Sequence, residues 1–209
     1  MENVKEKIIN TSKDLFIIQG YKNTTTRQII ARAGILNGTL YHFFKNKEEI
    51  FKCLVLSVLD ELAEIVDKLT TKDKSPALKY ACIIAIDFYT VKKHKQIAEL
   101  YYEAYSLWTI FNALVKRASI RNKSLFHIYN PDSTDEDFYL KTTIIEGAMY
   151  GFLTDNYHKG DISYNKSITA MLKLSLTIFN VPEKEIEHAI TKSLDIIKKK
   201  KIVIMGFTV

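Results

Sequence analysis

The sequence predicts an all-α fold, with a small three-helix unit at the N-terminus and a larger helical body behind it. Three observations lead there. Only seven glycines and three prolines occur in 209 residues, too few turn formers for a sheet-rich chain. Apolar residues recur three and four apart over more than 20 residues from Lys47, the spacing of a long helix. Between Thr25 and Phe44 lie two short amphipathic segments joined at Gly34.

The elements follow in order. Residues 2–19 form the first helix: Asn3 and Glu6 open it, Ile8, Ser12, Leu15, Phe16 and Gln19 line one stripe, and Gly20 ends it. Thr25 and Gln28 have the spacing of a capping box. A second helix therefore starts there, with Ile29, Ile30 and Ala33 as its apolar face. Gly34 stops it, because glycine takes a positive φ without a Cβ clash. Residues 37–44 make the third helix, with Leu40 and Phe44 inward and Asn37, Gly38, Thr39, Tyr41 and His42 mostly outward. Asn37 is expected to cap it, since Leu36 cannot.

Residues 47–70 form the fourth helix, about 30 Å long at 1.5 Å per residue. No flexible linker separates the three-helix unit from the body, so this helix is the connector. The domains are accordingly set at 1–46 and 47–209. Pro76 opens a fifth helix that runs to about residue 93. Residues 96–123 are helical with a break near 106–109. Residues 135–158 and 163–180 are two long apolar helices joined by a hairpin at 158–161. A last helix follows Pro182, with glutamates at its start and lysines at its end, as the helix dipole favours. The apolar tail 202–209, IVIMGFTV, has the length to cover a groove, and its role is open.

Two helices, a short turn containing Gly and a polar outer face on the second describe a helix-turn-helix DNA reader. The same run resembles the DNA-binding domain of TetR-type transcriptional regulators. The matching residues are Gly20 and Tyr21, Thr24 and Thr25, Ile29, Ala33, Gly34 and Ile35, then Gly38, Thr39, Leu40, Tyr41 and Phe44, and Lys47, Glu48, Glu49 and Ile50. The match covers about the first quarter of the chain. Leu36 stands where the family usually has Ser, Asn37 at a position that is often basic, Phe43 for a frequent His or Tyr, and Ile30 for a small Ala.

Charge agrees with a polyanion partner for that quarter. Through Lys52 there are nine basic against five acidic residues, whereas the remaining 157 residues carry 21 against 19. The expected DNA-binding residues are Thr26, Arg27, Asn37, Gly38, Thr39, Tyr41, His42, Lys45 and Lys47. Thr26 and Arg27 sit at a helix N-terminus, where free N–H groups favour phosphate. Asn37 is suited to adenine and Thr39 to a thymine methyl or a phosphate. Tyr41 is alternatively part core, and His42 and the lysines alternatively solvated. Lys47 gripping phosphate is what the resemblance implies.

In the body, Tyr89, Tyr101, Tyr102, Tyr105, Trp108 and Glu103 are expected to line a ligand cavity, with ordinary core filling as the alternative. Ile145, Ala148, Met149, Phe152, Met171, Leu172, Ser175 and Phe179 are expected at a dimer interface, because TetR-like proteins pair through the corresponding two helices; closing the monomer core is the alternative. The five histidines form no metal-spaced pair, and no Gly-rich phosphate loop or nucleophile elbow is present. No catalytic residue, metal or cofactor is therefore expected. Cys53 and Cys82 match no metal spacing and read as core thiols. The charged start shows no signal peptide, and no apolar run reaches the roughly 20 residues of a membrane span. The expectation is a cytoplasmic, ligand-responsive regulator. It binds a palindromic double-stranded DNA operator as a homodimer, most naturally as a repressor, and a small-molecule effector releases it. The rival is a helical module that binds a small molecule or protein without specific DNA function.

Overall fold

The computed structural model describes residues 3–159 and 162–209. The joining residues 160 and 161 of the expected hairpin lie outside the described residues. Ten α-helices are described: α1 (Val4–Gln19), α2 (Thr26–Ala33), α3 (Asn37–Phe43), α4 (Lys47–Leu69), α5 (Pro76–Lys93), α6 (Lys95–Ser106), α7 (Trp108–Phe126), α8 (Asp135–Tyr157), α9 (Tyr164–Ile178) and α10 (Glu183–Lys199). A 3₁₀ turn, His127–Tyr129, follows α7, and a hairpin of β1 (Val203–Ile204) and β2 (Phe207–Thr208) follows α10.

Local chemistry sets the boundaries near the DNA-reading candidate. The Asn3 side chain accepts from Lys5 N–H to start α1. The capping box forms: Thr25 Oγ1 accepts from Gln28 N–H, and Gln28 accepts from Thr25 N–H at 2.8 Å. Gly34 takes a left-handed φ of 60° and ends α2. Asn37 does not cap α3. Leu36 occupies the cap position without a side-chain bond and is largely exposed. The α3 start is thus held by its backbone alone.

Three apolar clusters lie along α4. The first joins Ile8, Leu15, Ile29, Leu40, Phe44 and Ile50. The second joins Phe16 of α1 and Phe51 and Leu54 of α4 to Ile97, Leu100 and Ala104 of α6 and Ile110 and Leu114 of α7. The third is the core of the body, into which α4 sends Val58, Leu62 and Val66. The α6–α7 break falls at Leu107, within the expected stretch.

The tail folds back as an antiparallel hairpin. Ile202, Ile204 and Val209 are buried in the body core, and Met205 and Phe207 pack on the second cluster. Met205 and Gly206 both have positive φ, the backbone of a tight two-residue hairpin turn. His94 Nε2 donates to Thr208 O at 2.9 Å, and Met205 N–H to a Glu61 carboxylate oxygen at 3.3 Å. Cys53 and Cys82 are free thiols.

The expected dimer residues need a correction. Ile145, Met149, Met171, Leu172, Ser175 and Phe179 are all at most 5% exposed within one chain, and Ala148 and Phe152 pack against the same core. The most apolar stripe of α8 and α9 is the one that the chain's own core takes up, so it is not free for a second copy.

Gly34→Ala forces a Cβ into the left-handed region. It should cost about 1–2 kcal/mol, read as a lower urea midpoint at unchanged slope.

Candidate nucleic-acid interface and effector cavity

The outer face of the three-helix unit is open. Arg27, Asn37, Gly38, Tyr41, His42 and Lys45 are exposed, and Thr26 and Thr39 are partly so. A Cβ placed on Gly38 would meet nothing within 4 Å, so the start of α3 presents bare backbone. Thr26 and Tyr41 bring α2 and α3 together, their hydroxyl oxygens 3.4 Å apart. Leu40 and Phe44 are buried behind this face. Eight of the nine expected DNA residues are thus at least partly accessible.

Lys47 is the exception. Its ammonium donates to Tyr21 O and Thr24 O, both at 2.7 Å, and lies 4.1 Å from the centre of the Tyr21 ring. Burial lowers its pKa, with Glu103 opposing. Two of its three protons are committed to main-chain carbonyls, so it braces the α1–α2 loop and is not an outward phosphate grip. Lys45 is the exposed lysine at this end.

That braced loop is fastened to the body. Tyr21 stacks on Phe51 at 4.6 Å between ring centres, and Phe16 meets both rings edge-on. Burial, then the nearby Glu48 and Glu103, push the Tyr21 phenol up to about 12. Lys22 pairs with Glu103 of α6 at 2.6 Å, and Thr109 of α7 donates to Glu48 of α4.

Residues 8–54 match the family model for bacterial regulatory proteins of the tetR family. The N-terminal segment is therefore similar to regulators of the tetR family. It is 45% identical over 49 residues to the transcriptional regulator QacR of Staphylococcus aureus, covering 23% of this chain and 26% of QacR. A longer match, 30% over 94 residues, is to the transcriptional repressor KstR2 of Mycolicibacterium smegmatis, covering 44% of this chain and 46% of KstR2. These matches span less than half the length of either relative. Over 86% of this chain and 94% of the other, the fold superposes on RolR in complex with resorcinol, at TM-score 0.62 and 19% identity. The chain thus shares the overall fold of RolR.

The body holds a cavity of about 260 Å³ between α5, α6, α8 and α9. Asp87, Phe88, Tyr101, Met149, Phe152 and Tyr164 are among its walls. A smaller void of about 50 Å³ lies on the far side of Asp87 and Tyr101, walled by Phe51, Leu54, Ala104, Tyr105 and the tail's Met205. Of the expected ligand residues, Tyr101 and Tyr105 line these spaces. The other four do not. Trp108 is 69% exposed at the helix break. Tyr102 stacks on Tyr157 at 4.1 Å, and Tyr89 packs edge-on to Tyr164. Glu103 faces Lys22 across the junction. Aromatic density along α6 and α7 marked the region but not the face.

Sequence reading missed Asp87. The visible signal was one carboxylate within the apolar run Ala81–Tyr89. Tyr101 donates to it at 2.7 Å. Burial raises its pKa to about 7, while the Tyr101 bond and Arg121 oppose and Glu146 adds. What surface Asp87 keeps faces the two voids. Glu146 of α8, which accepts from Tyr105 at 2.6 Å, is raised by burial as well. Among the described residues no three His, Cys, Asp or Glu side chains converge as a metal site would.

The Asp87 carboxyl binds its proton more tightly folded than unfolded, so its contribution favours folding at low pH and is lost as pH rises through about 7. Asp87→Asn should therefore melt higher than the parent at pH 8. The gain should shrink between pH 7 and 4, read by thermal denaturation across that range.

Proposed function

We propose that the protein is a ligand-responsive transcriptional repressor, cytoplasmic, that grips a palindromic duplex as a homodimer. Residues 1–46 carry the DNA contacts, and 47–209 hold the effector and the dimer interface. The observation that carries this reading is the open face around α3, where Asn37, Gly38, Tyr41 and His42 stand clear of the core. Such a helix fits the major groove, with Thr26, Arg27 and Lys45 beside the flanking phosphates. Non-enzymatic function agrees with the regulator names of the relatives. The resorcinol bound to RolR supports a small molecule in the body.

The dimer face is the outer side of α8 and α9. Leu140 and Ile144 are 58% and 51% exposed, Gly147 and Gly151 have open space above them, and Ala170 and Leu174 of α9 are also exposed. Small residues there allow two copies to approach closely, and an isologous pairing of both helices makes a four-helix bundle. A second reading, a helical module without DNA function, draws on the exposed Leu36 and Phe43, which put apolar surface beside the polar face.

The effector is proposed to act through α6. Leu100 and Ala104 pack in the junction cluster, while Tyr101 and Tyr105 face the voids. A ligand that favours one setting of α6 favours one setting of the DNA-reading unit, by its differential affinity alone.

Selection from a random DNA pool, followed by anisotropy titration in rising salt, tests the DNA reading. A palindrome should be enriched. Arg27→Ala should weaken its binding and lower the salt slope by about 1, and Tyr41→Ala should weaken binding at least tenfold by roughly the loss of one good contact. No enrichment supports the second reading. Ile144→Arg should convert the dimer to monomer in analytical ultracentrifugation; an unchanged mass rules out the α8–α9 face.

A further inference from the structure

We propose that the cavity between α5, α6, α8 and α9 takes a small organic cation, its charge set against the Asp87 carboxylate and its apolar part among Phe88, Met149, Phe152 and Tyr164. The proposal rests on the effector-binding reading of the body and names the chemical class of that effector.

The first argument is the state of Asp87. Among the described residues its one hydrogen bond comes from Tyr101, onto a single carboxylate oxygen. Among the described residues the other oxygen has no hydrogen-bond partner, and Asp87 itself lines the cavity. A buried carboxylate left this way normally recruits a cation or a proton.

The second argument is charge. Asp87 and Glu146 put two carboxylates into one interior, each with a tyrosine O–H donated to it. Arg121 of α7 is the one guanidinium in their field, and it closes a salt bridge with neither; its buried Nε has no partner. From the other elements, Glu61 of α4 adds negative potential at Tyr101. Asp155 and Lys159, one of each sign, also line the cavity and leave its formal charge balance unchanged. The interior is therefore short of one positive charge when both acids ionise. An anionic ligand would add to the imbalance, and a neutral one would leave it.

The third argument is the wall. The Tyr164 hydroxyl is buried without a hydrogen bond of proper geometry, the Lys92 main chain lying near without closing one. Its ring already has a cation against it from outside, Lys92 Nζ at 4.8 Å from the centroid. Phe88 meets Tyr164 and Phe152 edge-on, so aromatic rings surround the space beside the carboxylate. Aromatic faces next to a carboxylate suit an alkyl- or arylammonium group.

Burial pushes the Asp87 carboxyl up to about 7, so it takes a proton more readily than a free aspartate. A bound cation holds it ionised, so binding displaces the proton and weakens in acid. The sign is fixed: affinity is greatest above pH 7 and falls below it.

Isothermal titration of the full chain without DNA tests this with two probes of one shape, phenyltrimethylammonium and its uncharged isostere tert-butylbenzene. At pH 8 the cation should bind at least about tenfold more tightly, as a desolvated charge pair allows. Between pH 7 and pH 5.5 the preference should fall progressively. Asp87→Asn should abolish it while the protein keeps its melting transition, and Glu146→Gln should retain it. Equal binding, binding of neither probe, a preference that survives Asp87→Asn, or one that does not change with pH in the parent chain each overturns the proposal. The pH series on the parent protein decides even if Asp87→Asn fails to fold. Because no DNA is present, these outcomes are separate from the operator measurement. Release of operator by an uncharged compound at this cavity would overturn the cation assignment and leave the regulator reading standing.

Discussion

Everything in this structure hangs on α4, a 23-residue helix with neither glycine nor proline inside it. Its first turn places Ile50 among the residues that hold α1, α2 and α3 together. Its next turn gives Phe51 and Leu54 to the junction with α6 and α7. Its second half supplies Val58, Leu62 and Val66 to the body. At 1.5 Å per residue the rod is about 34 Å long. An unbroken helix packed at three levels has no internal hinge. The position of α3 is therefore set by how the other end of α4 sits in the body. The Lys47 ammonium, held by two carbonyls of the α1–α2 loop, adds a polar tie at the point where the rod enters the reading unit.

Much of this was legible in the sequence, and the reasons are local. The Thr25–Gln28 box, Gly34 and Pro76 each act within a few residues, so they fix the starts and stops of α2 and α5 without tertiary information. The length of α4 followed from an apolar stripe sustained over six turns. What the sequence could not reveal is orientation. Helix α8 is apolar nearly all round: Ile145 and Met149 point inward, while Leu140 and Ile144 point outward. Periodicity cannot rank two apolar faces, and the more apolar one went to the chain's own core. The terminal hairpin was missed because its turn uses Met205 at positive φ, where Asn or Asp is the usual sign. Lys47 sits at a motif position that looks outward, yet its ammonium lies over the Tyr21 ring and ends on main-chain oxygens.

The cavity and the reading unit meet on one helix. In α6, Leu100 and Ala104 lie one turn apart in the junction, Tyr101 and Tyr105 lie one turn apart on the voids, and Glu103 reaches Lys22 in the α1–α2 loop. The same two turns thus carry the junction packing, the walls of the voids and the pair with Lys22, and Leu100 and Ala104 serve both the junction and the smaller void. A helix is stiff along its axis and about it, so these contacts shift together. Phe51 and Leu54 add a second route, since they wall the smaller void and anchor α4 at once. The tail's Met205 closes that void from the other side, which makes the hairpin part of the cavity and not a loose end.

Energy decides which of these contacts can transmit a signal. The Lys22–Glu103 pair is the most visible link, but its lysine is 72% exposed. Exposed pairs contribute about 0–1 kcal/mol, too little to switch a two-state protein. Moving an equilibrium from 1:99 to 99:1 takes about 5.5 kcal/mol of differential affinity. Contacts of that size need desolvated partners. The interior offers two sets: the Phe16–Tyr21–Phe51 aromatic cluster, and the carboxylates of Asp87 and Glu146 with their tyrosine donors. The first holds the reading unit in place but touches no ligand space except through Phe51. The second lies against the voids and shares α6 with the junction. Under the proposed effector switch, a charge settled beside Asp87 in one setting of α6 and not in the other is the kind of contact whose strength would match the task, whereas the exposed Lys22–Glu103 pair would not.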